Sequence, residues 1–373
     1  MTVPLRSTDV FVIGGGPAGL AAAIAARRQG FDVIVADRAH GPIDKACGEG
    51  LMPDGLDALQ ELGVSLDECE TGSFRGIKFV GPEGSVQADF PRGHGVGIRR
   101  LLLHQALNRH AEKLGVNTWW GPRVTAASDA AVVVDGNAIR CRWIIGADGQ
   151  NSQTRGWANL SRCVRFDRRI GMRQHFRVKP WSEFVEIHWA KEGQAYVTPI
   201  SADEICVALI SKRRFQSFDS GLTSFLELRQ RLMDAPRTSN PKGAVTIYRR
   251  LRSVVRGNVA LVGEASGSVD AITGEGLAMA FRQALALSSA LAHRDLATYQ
   301  AAHRQIAKLP EFMANAMLLM DKSSWLRSRA LRAFDRKPSL FEQMLSVHVG
   351  ERPLVPFGSD GFVNLGWNLL TAR

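Results

Sequence analysis

The chain has 373 residues, more than one hydrophobic core usually serves, so a lone small binding module is excluded and two domains sharing one chain are expected. Apolar residues at 45% and charged residues at 22% exclude a disordered or fibrous protein. A formal net charge of +11 favours anionic partners, whether nucleotide, acidic carrier, nucleic acid or acidic membrane, without choosing among them.

Arg6 and the apolar stretches after it imitate a signal peptide, but Gly14-Gly15-Gly16-Pro17-Ala18-Gly19 interrupts them. A strand, tight turn and helix need that interruption; a secretory segment does not. Residues 9–13 predict a buried strand, 18–29 an Ala-rich helix closed by Gly30, and 32–36 a second buried strand. This is a βαβ unit, and Asp37 ends it at about the spacing where a carboxylate meets a ribose hydroxyl. Residues 77–80 and 86–90 read as a hairpin around the turn 81–84. A helix over 101–114 follows Arg99-Arg100, and a strand over 143–146 leads into Ala147-Asp148-Gly149.

Segments 170–178, 185–190, 195–199 and 205–210 alternate like strands between polar turns, and the simplest arrangement is a four-strand meander. A helical stretch over 222–233 follows, then a buried strand over 258–262, a Gly-rich run over 263–276 and a helix over 277–292. From 297 onward the chain reads as helices. The fold class is therefore α/β: a Rossmann-like nucleotide-binding domain (1–75, 96–163 and 250–300) with an inserted antiparallel sheet domain (76–95 and 164–249) and a helical C-terminal region (301–373). No segment is long and apolar enough to predict a membrane span. The five cysteines, Cys47, Cys69, Cys141, Cys163 and Cys206, include no CxxC pair, so no metal site is expected and a reduced, cytoplasmic setting is.

In Gly14-x-Gly16-x-x-Gly19 the three glycines permit, in turn, the tight turn, the approach of a pyrophosphate to backbone, and close packing of helix on strand. The phosphate then meets amide donors and the positive end of a helix dipole. Asp148 and Glu264 each follow a buried strand, where a carboxylate can cap the next segment or face a ligand at the sheet's carboxyl edge.

Gly14 to Gly19, then Gly146-Ala-Asp148-Gly149 with Ser152, then Gly263-Glu264 running into Thr273-Gly-Glu-Gly276 closely resemble, in order, the flavoprotein monooxygenases of the p-hydroxybenzoate hydroxylase type and their relatives, the geranylgeranyl reductases. The resemblance extends to about Ala292. It implies noncovalent FAD, with Gly14, Gly16 and Gly19 at the pyrophosphate, Asp37 at the adenosine ribose, and Pro17, Ala18 and Arg38 also among the cofactor-binding residues. Arg100, with Leu103 and Leu107 in the family's spacing, would lie near the pyrophosphate and the Val124 backbone beside adenine. Asp148 would serve the dinucleotide, Glu264 the ribityl chain, and Gly274, Gly276 and Leu277 the flavin O2 edge. Glu264 replaces the family's usual Asp, and Ala271 a common Pro. Cys47-Gly48-Glu49-Gly50 resembles the Cys-Gly-x-Gly segment of prenyl reductases, which implies a thiol near the flavin; Glu49 itself could equally be solvated.

The catalytic candidates are Cys47, His175 and Arg173, the last two on the cationic face of one predicted strand, although a solvated His175 is the plainer alternative. His188, Trp189 and Tyr196 are weaker candidates for a substrate pocket. Lys322, Arg327, Arg329, Arg332, Arg336 and Lys337, interleaved with Trp325 and Phe334, could meet acidic lipid or an acidic carrier protein, or simply form the charged outer face of a core helix. No nucleic-acid-binding module is present. The expected activity is hydroxylation of a compact, aromatic small molecule with NAD(P)H as transient electron donor and O2. The alternatives are reduction of a carbon-carbon double bond and, from another class, a catalytically silent flavin-binding partner protein.

Overall fold

The computed structural model describes residues 7–82, 84–128 and 131–351. The expectations for Arg6 and for residues 352–373 lie outside them.

The strand Ser7–Ile13 has apolar side chains on both faces, so it is stable only at the centre of a covered sheet. It pairs in parallel with Val33–Asp37 on one side and Asn137–Gly146 on the other. Among the described residues the full order is Val255–Arg256, Val259–Leu261, Asn137–Gly146, Ser7–Ile13, Val33–Asp37, Asn117–Trp120. Val124–Ala127 and Ala131–Val134 attach antiparallel to the outer half of Asn137–Gly146. Val10, Val12, Val35 and Ile145 pack under helices Pro17–Arg28, Arg100–Lys113 and Gly276–Ala292, while Phe11, Ile34 and Ile144 form a second core with Val124, Val132 and Val134 on the opposite face.

A second sheet runs in the order Gly267–Ser268, Lys242–Leu251, Cys163–Arg177, Glu204–Ser211, Gly193–Pro199, Phe184–Ala190, Gly76–Gly81, Gly84–Asp89. The expected four-strand meander is corrected here. Three of its strands are joined by hairpins, but Cys163–Arg177 pairs with Glu204–Ser211, in a Greek-key order. The position beside Phe184–Ala190 is taken instead by Gly76–Gly81, in parallel. A small ribbon of Gly50–Leu51, Gly95–Gly97 and Gly72–Phe74 lies against Pro199 so closely that a Cβ on Gly97 would stand 1.8 Å from the Pro199 carbonyl oxygen.

The stretch expected as one helix over 222–233 is two short ones, Phe218–Leu222 and Leu226–Arg231. Ser217 and Ser220 form a reciprocal cap that starts the first helix early. The boundary expected at 300/301 falls inside a single helix, Leu296–Lys322, started by Asp295, whose carboxylate accepts the Ala297 N–H at 2.9 Å. Near its start Tyr299 donates to the Leu261 carbonyl at 2.7 Å, in the first domain; near its end Met317 and Leu318 pack under the second sheet. One rigid element thus belongs to both cores. Helices Ser324–Arg336 and Pro338–His348 complete the cover of that sheet face. Among the described residues no helix is long and apolar enough to cross a membrane.

Candidate functional site

The carboxyl edge of the parallel sheet opens onto a cleft of about 960 Å³, with the second sheet as its far wall. Open α/β sheets bind ligands at this edge because strand ends and helix N-termini point their free amides there.

At one end, Gly14 turns at φ +109°, with no room for a side chain beside the Ala147 carbonyl. A Cβ on Gly19 would stand 1.8 Å from the Gly14 oxygen, so helix Pro17–Arg28 can pack on its strand only with glycine there. Gly16 differs: a Cβ would meet no atom within 4 Å and would project into open space. Pro17, Ala18, Arg38, Arg100 and Val124 also line this end. Asp37 lines it too, and its two oxygens accept the Gly15 and Ala39 N–H groups at 2.7 and 2.8 Å.

Asp148 caps the next helix as well as facing the cleft. Its Oδ2 accepts from Gln153 N, Thr154 N and Thr154 Oγ1 at 2.8 to 3.0 Å, while the buried Oδ1 has no hydrogen-bond partner among the described residues. Arg100 Nε is orphaned in the same way. Glu264 is ion-paired to Lys45, a partner the sequence did not reveal. At the other end Gly274, Gly276 and Leu277 bring the N-terminus of helix Gly276–Ala292 to the cleft; Gly274 is left-handed at φ +73°, and a Cβ on Gly274, Gly276 or Gly48 would find open space. Bare backbone at both ends, two helix N-termini and two orphaned buried polar atoms fit an elongated ligand with a central diphosphate.

The far wall is apolar: Ile77, Val185, Ile187, Ala208 and Ile210 face the cleft. Of the cationic strand Cys163–Arg177, Arg173 lines the cleft; His175 lies behind it, 2% exposed, which corrects the solvated alternative. Both reach Glu49, the residue sequence reasoning undervalued. Glu49 is 2% exposed and its backbone is left-handed at φ +59°, rare for a residue with a side chain. Its Oε1 accepts the Arg100 N–H at 3.0 Å, with Arg173 Nε 3.7 Å away, and its Oε2 meets His175 Nε2 at 2.7 Å. The available signal was an acid between two glycines, Gly48 and Gly50, where backbone freedom can turn a side chain inward.

Arg173 is also ion-paired to Asp44 and leaves its buried Nε without a hydrogen-bond partner among the described residues. Cys47 lines the cleft, and its Sγ accepts the Glu49 N–H at 3.3 Å. Cys206, 3.7 Å from the Cys47 carbonyl, has its thiol pushed well up by burial. Glu49, His175 and Cys206 could converge on a metal ion, but the Arg173 guanidinium beside them opposes a further cation.

Tyr196 faces the cleft, and its hydroxyl donates to the Ile272 carbonyl at 2.7 Å. Trp189 packs away from the cleft against Phe79. His188 pairs with Glu186 at 2.9 Å on the sheet's other face. Burial alone would raise the Glu186 carboxyl, but hydrogen bonds from His188 and Trp181 outweigh it and hold the group at about 2. Neither His188 nor Trp189 lines the cleft.

Taken together, one dinucleotide cradle, a carboxylate at the end of the second strand and a sheet roofing the opposite end define a flavoprotein oxidoreductase fold. Residues 7–305 match the FAD binding domain family, and the chain belongs to it. The glycines, Asp37, Arg100 and Asp148 are the groups that would hold FAD. A menaquinone reductase of Mycobacterium tuberculosis is 38% identical over 157 residues, which span 39% of this chain and 38% of that one. A rifampicin monooxygenase of Rhodococcus hoagii is 29% identical over 161 residues, 40% of this chain and 33% of that one. These matches therefore span well under half the length of either relative. The crystal structure of a flavoprotein/dehydrogenase from Cytophaga hutchinsonii shares the fold over 98% of this chain and 99% of its own, with a TM-score of 0.83 at 17% identity.

Proposed function

We propose that the chain is an FAD-dependent monooxygenase that takes two electrons from NAD(P)H, inserts one atom of O2 into a compact, aromatic molecule and releases the other as water. The observation that carries this reading is the far wall: five apolar side chains opposite the FAD cradle, with Arg173 and Glu49 as a polar corner. Such a wall excludes water and accepts a ring, while a buried guanidinium with a spare N–H orients a phenolic or carbonyl oxygen. His175 and the Arg100 N–H hold the buried Glu49 carboxylate, which in turn fixes the Arg173 guanidinium at the edge of the cleft. Bound FAD supplies the electron transfer from nicotinamide to oxygen. The likeness to a monooxygenase supports the reading. A reducing, cytoplasmic setting belongs to it and is supported by five free cysteines.

Cys47 favours a second reading, reduction of a carbon-carbon double bond, because its thiol borders the same cleft and could relay a proton. The likeness to a menaquinone reductase supports a reductase reading. The deciding experiment reduces the FAD-loaded protein with light and compares its reoxidation by air and, without air, by an alkene. Fast aerobic reoxidation with a hydroxylated aromatic product, unchanged in Cys47→Ser, establishes the monooxygenase. Slow aerobic reoxidation, with anaerobic reoxidation by the alkene that Cys47→Ser abolishes, establishes the reductase.

A further inference from the structure

Arg169 is the largest fully buried side chain among the described residues, 1% exposed. Taking a guanidinium out of water is costly unless its charge and its N–H groups are answered. Two acids and an amide answer it: Nη1 donates to Asp270 Oδ1 at 3.3 Å, and Nη2 donates to Asp321 Oδ2 at 3.3 Å and to Gln194 Oε1 at 2.7 Å. Gln194 in turn donates to Asp321, in the last turn of the helix Leu296–Lys322 that both cores share. Packed apolar groups often serve stability as well as a buried ionic network does, so this one points to a positional need.

The position it fixes is that of a loop at the cleft. Asp270 lines the cleft, and its Oδ1 also accepts the Ile272 N–H at 3.0 Å, which caps the single 3-10 turn Ala271–Thr273. That turn closes on Gly274, whose N–H donates to the Ala271 carbonyl at 3.2 Å, and it leads straight into the N-terminus of helix Gly276–Ala292. Tyr196 holds the same turn by the Ile272 carbonyl, from the strand that carries Gln194. Two residues further along that strand, Thr198 donates to the Gly48 carbonyl at 2.8 Å. Gln194, Tyr196 and Thr198 alternate on one face, and between them they fasten both loops that border this end of the cleft.

Arg169 and Arg173 stand four residues apart on one face of strand Cys163–Arg177, with Gly171 between them lining the cleft. Arg173 lies against Glu49 in one loop, and Arg169 pairs with Asp270 in the other. The spacing between the two loops is thus set by the second sheet.

We infer that Arg169 is a positioning residue for the flavin: through Asp270 it holds the turn that aims the first amides of helix Gly276–Ala292 into the cleft. Reduction puts negative charge on a flavin ring, and amide donors at a helix N-terminus stabilise negative charge. Letting the turn drift would therefore weaken the hold on reduced FAD more than on oxidised FAD. The inference rests on FAD occupying this cleft, and not on whether the flavin then meets oxygen or an alkene.

The experiment takes the full-length, FAD-loaded protein, reduces it with light beside a reference dye in the absence of oxygen and substrate, and reads the midpoint potential. One weakened amide contact to a charged ring should lower the preference of Arg169→Met for reduced over oxidised FAD roughly tenfold. For a two-electron couple, tenfold lowers the potential by about 30 mV. Arg169→Lys, which keeps the cation, should recover part of that shift. Tyr196→Phe, which loosens the same turn without touching a charge, should shift the potential in the same direction, and the circular dichroism of the bound flavin should change with it. Bound FAD, read from its absorbance, shows that each variant is folded. If Arg169→Met does not retain FAD, Asp321→Asn replaces it, because it loosens one tether of the guanidinium and leaves Asp270 in place. Three results would overturn the inference: a lowered melting temperature with the potential of the FAD-loaded Arg169→Met or Asp321→Asn unchanged, Arg169→Lys no better than Arg169→Met, or Tyr196→Phe with the potential of wild type, which would leave the charge of Arg169 and not its grip on the turn as the cause.

Discussion

His175 Nε2 lies 2.7 Å from Glu49 Oε2, and both side chains are buried. The other ring nitrogen, Nδ1, has the Ser239 hydroxyl at 2.8 Å and Arg173 Nη1 at 3.3 Å. A guanidinium can only donate, so Nδ1 accepts, and the ring proton sits on Nε2, directed at Glu49. Arg173 thus fixes the tautomer that lets His175 hold Glu49 beside the cleft.

His175→Ala should destabilise the fold by about 3 kcal/mol, because it strips one partner from a buried carboxylate. Urea unfolding followed by tryptophan fluorescence checks this. A loss under about 1 kcal/mol would show that the Arg100 N–H and Arg173 alone carry Glu49.

Gly16→Ala and Gly19→Ala should fail differently. A methyl at Gly19 collides with the Gly14 oxygen 1.8 Å away, so that variant should lose stability and flavin together. A methyl at Gly16 meets nothing within 4 Å in the protein and should leave the melting temperature of the FAD-free protein unchanged while abolishing the yellow colour. A Gly16→Ala protein that purifies with stoichiometric FAD would place the diphosphate elsewhere.

Asp37→Ala removes the acceptor for two backbone N–H groups as well as any ribose contact. Hydrogen bonds to a charged group contribute about 1.5–3 kcal/mol, so FAD affinity should fall roughly ten- to a hundredfold. Fluorescence titration of FAD into the stripped protein measures it; unchanged affinity would mean the ribose is held by another group.

The stability of the chain should carry a signature of Glu275, which is 2% exposed at the start of helix Gly276–Ala292. Burial pushes its carboxyl up to about 8, against the opposing Thr273 hydrogen bond. The folded state therefore holds a proton that the unfolded chain releases near its ordinary value of 4.5, so this group's contribution falls as pH rises from there to about 8. Glu275→Gln, neutral in both states, should gain on wild type across that window. His348, 4.0 Å away and pushed down to about 4 by burial, acts in the other direction at lower pH, because unfolding lets it charge below its ordinary 6.5. Unfolding free energies at pH 5 and pH 8 test this: a difference between variant and wild type that does not grow with pH removes Glu275 as the cause.

The first βαβ unit, the cradle glycines, Asp37 and Asp148 were legible in sequence because their requirements are local: a period of two or 3.6, a turn that only glycine makes, a helix dipole a few residues away. Strand pairing was not. The place of Cys163–Arg177 beside Glu204–Ser211 depends on which edge the distant Gly76–Gly81 strand occupies, and no residue in the predicted meander records that. The same distance hid the role of Glu49, whose partners Arg100, Arg173 and His175 lie 51, 124 and 126 positions away; the sequence supplied the acid and its flanking glycines, and only the packing of the second sheet over the first removed it from water and supplied the charges that let it stay buried.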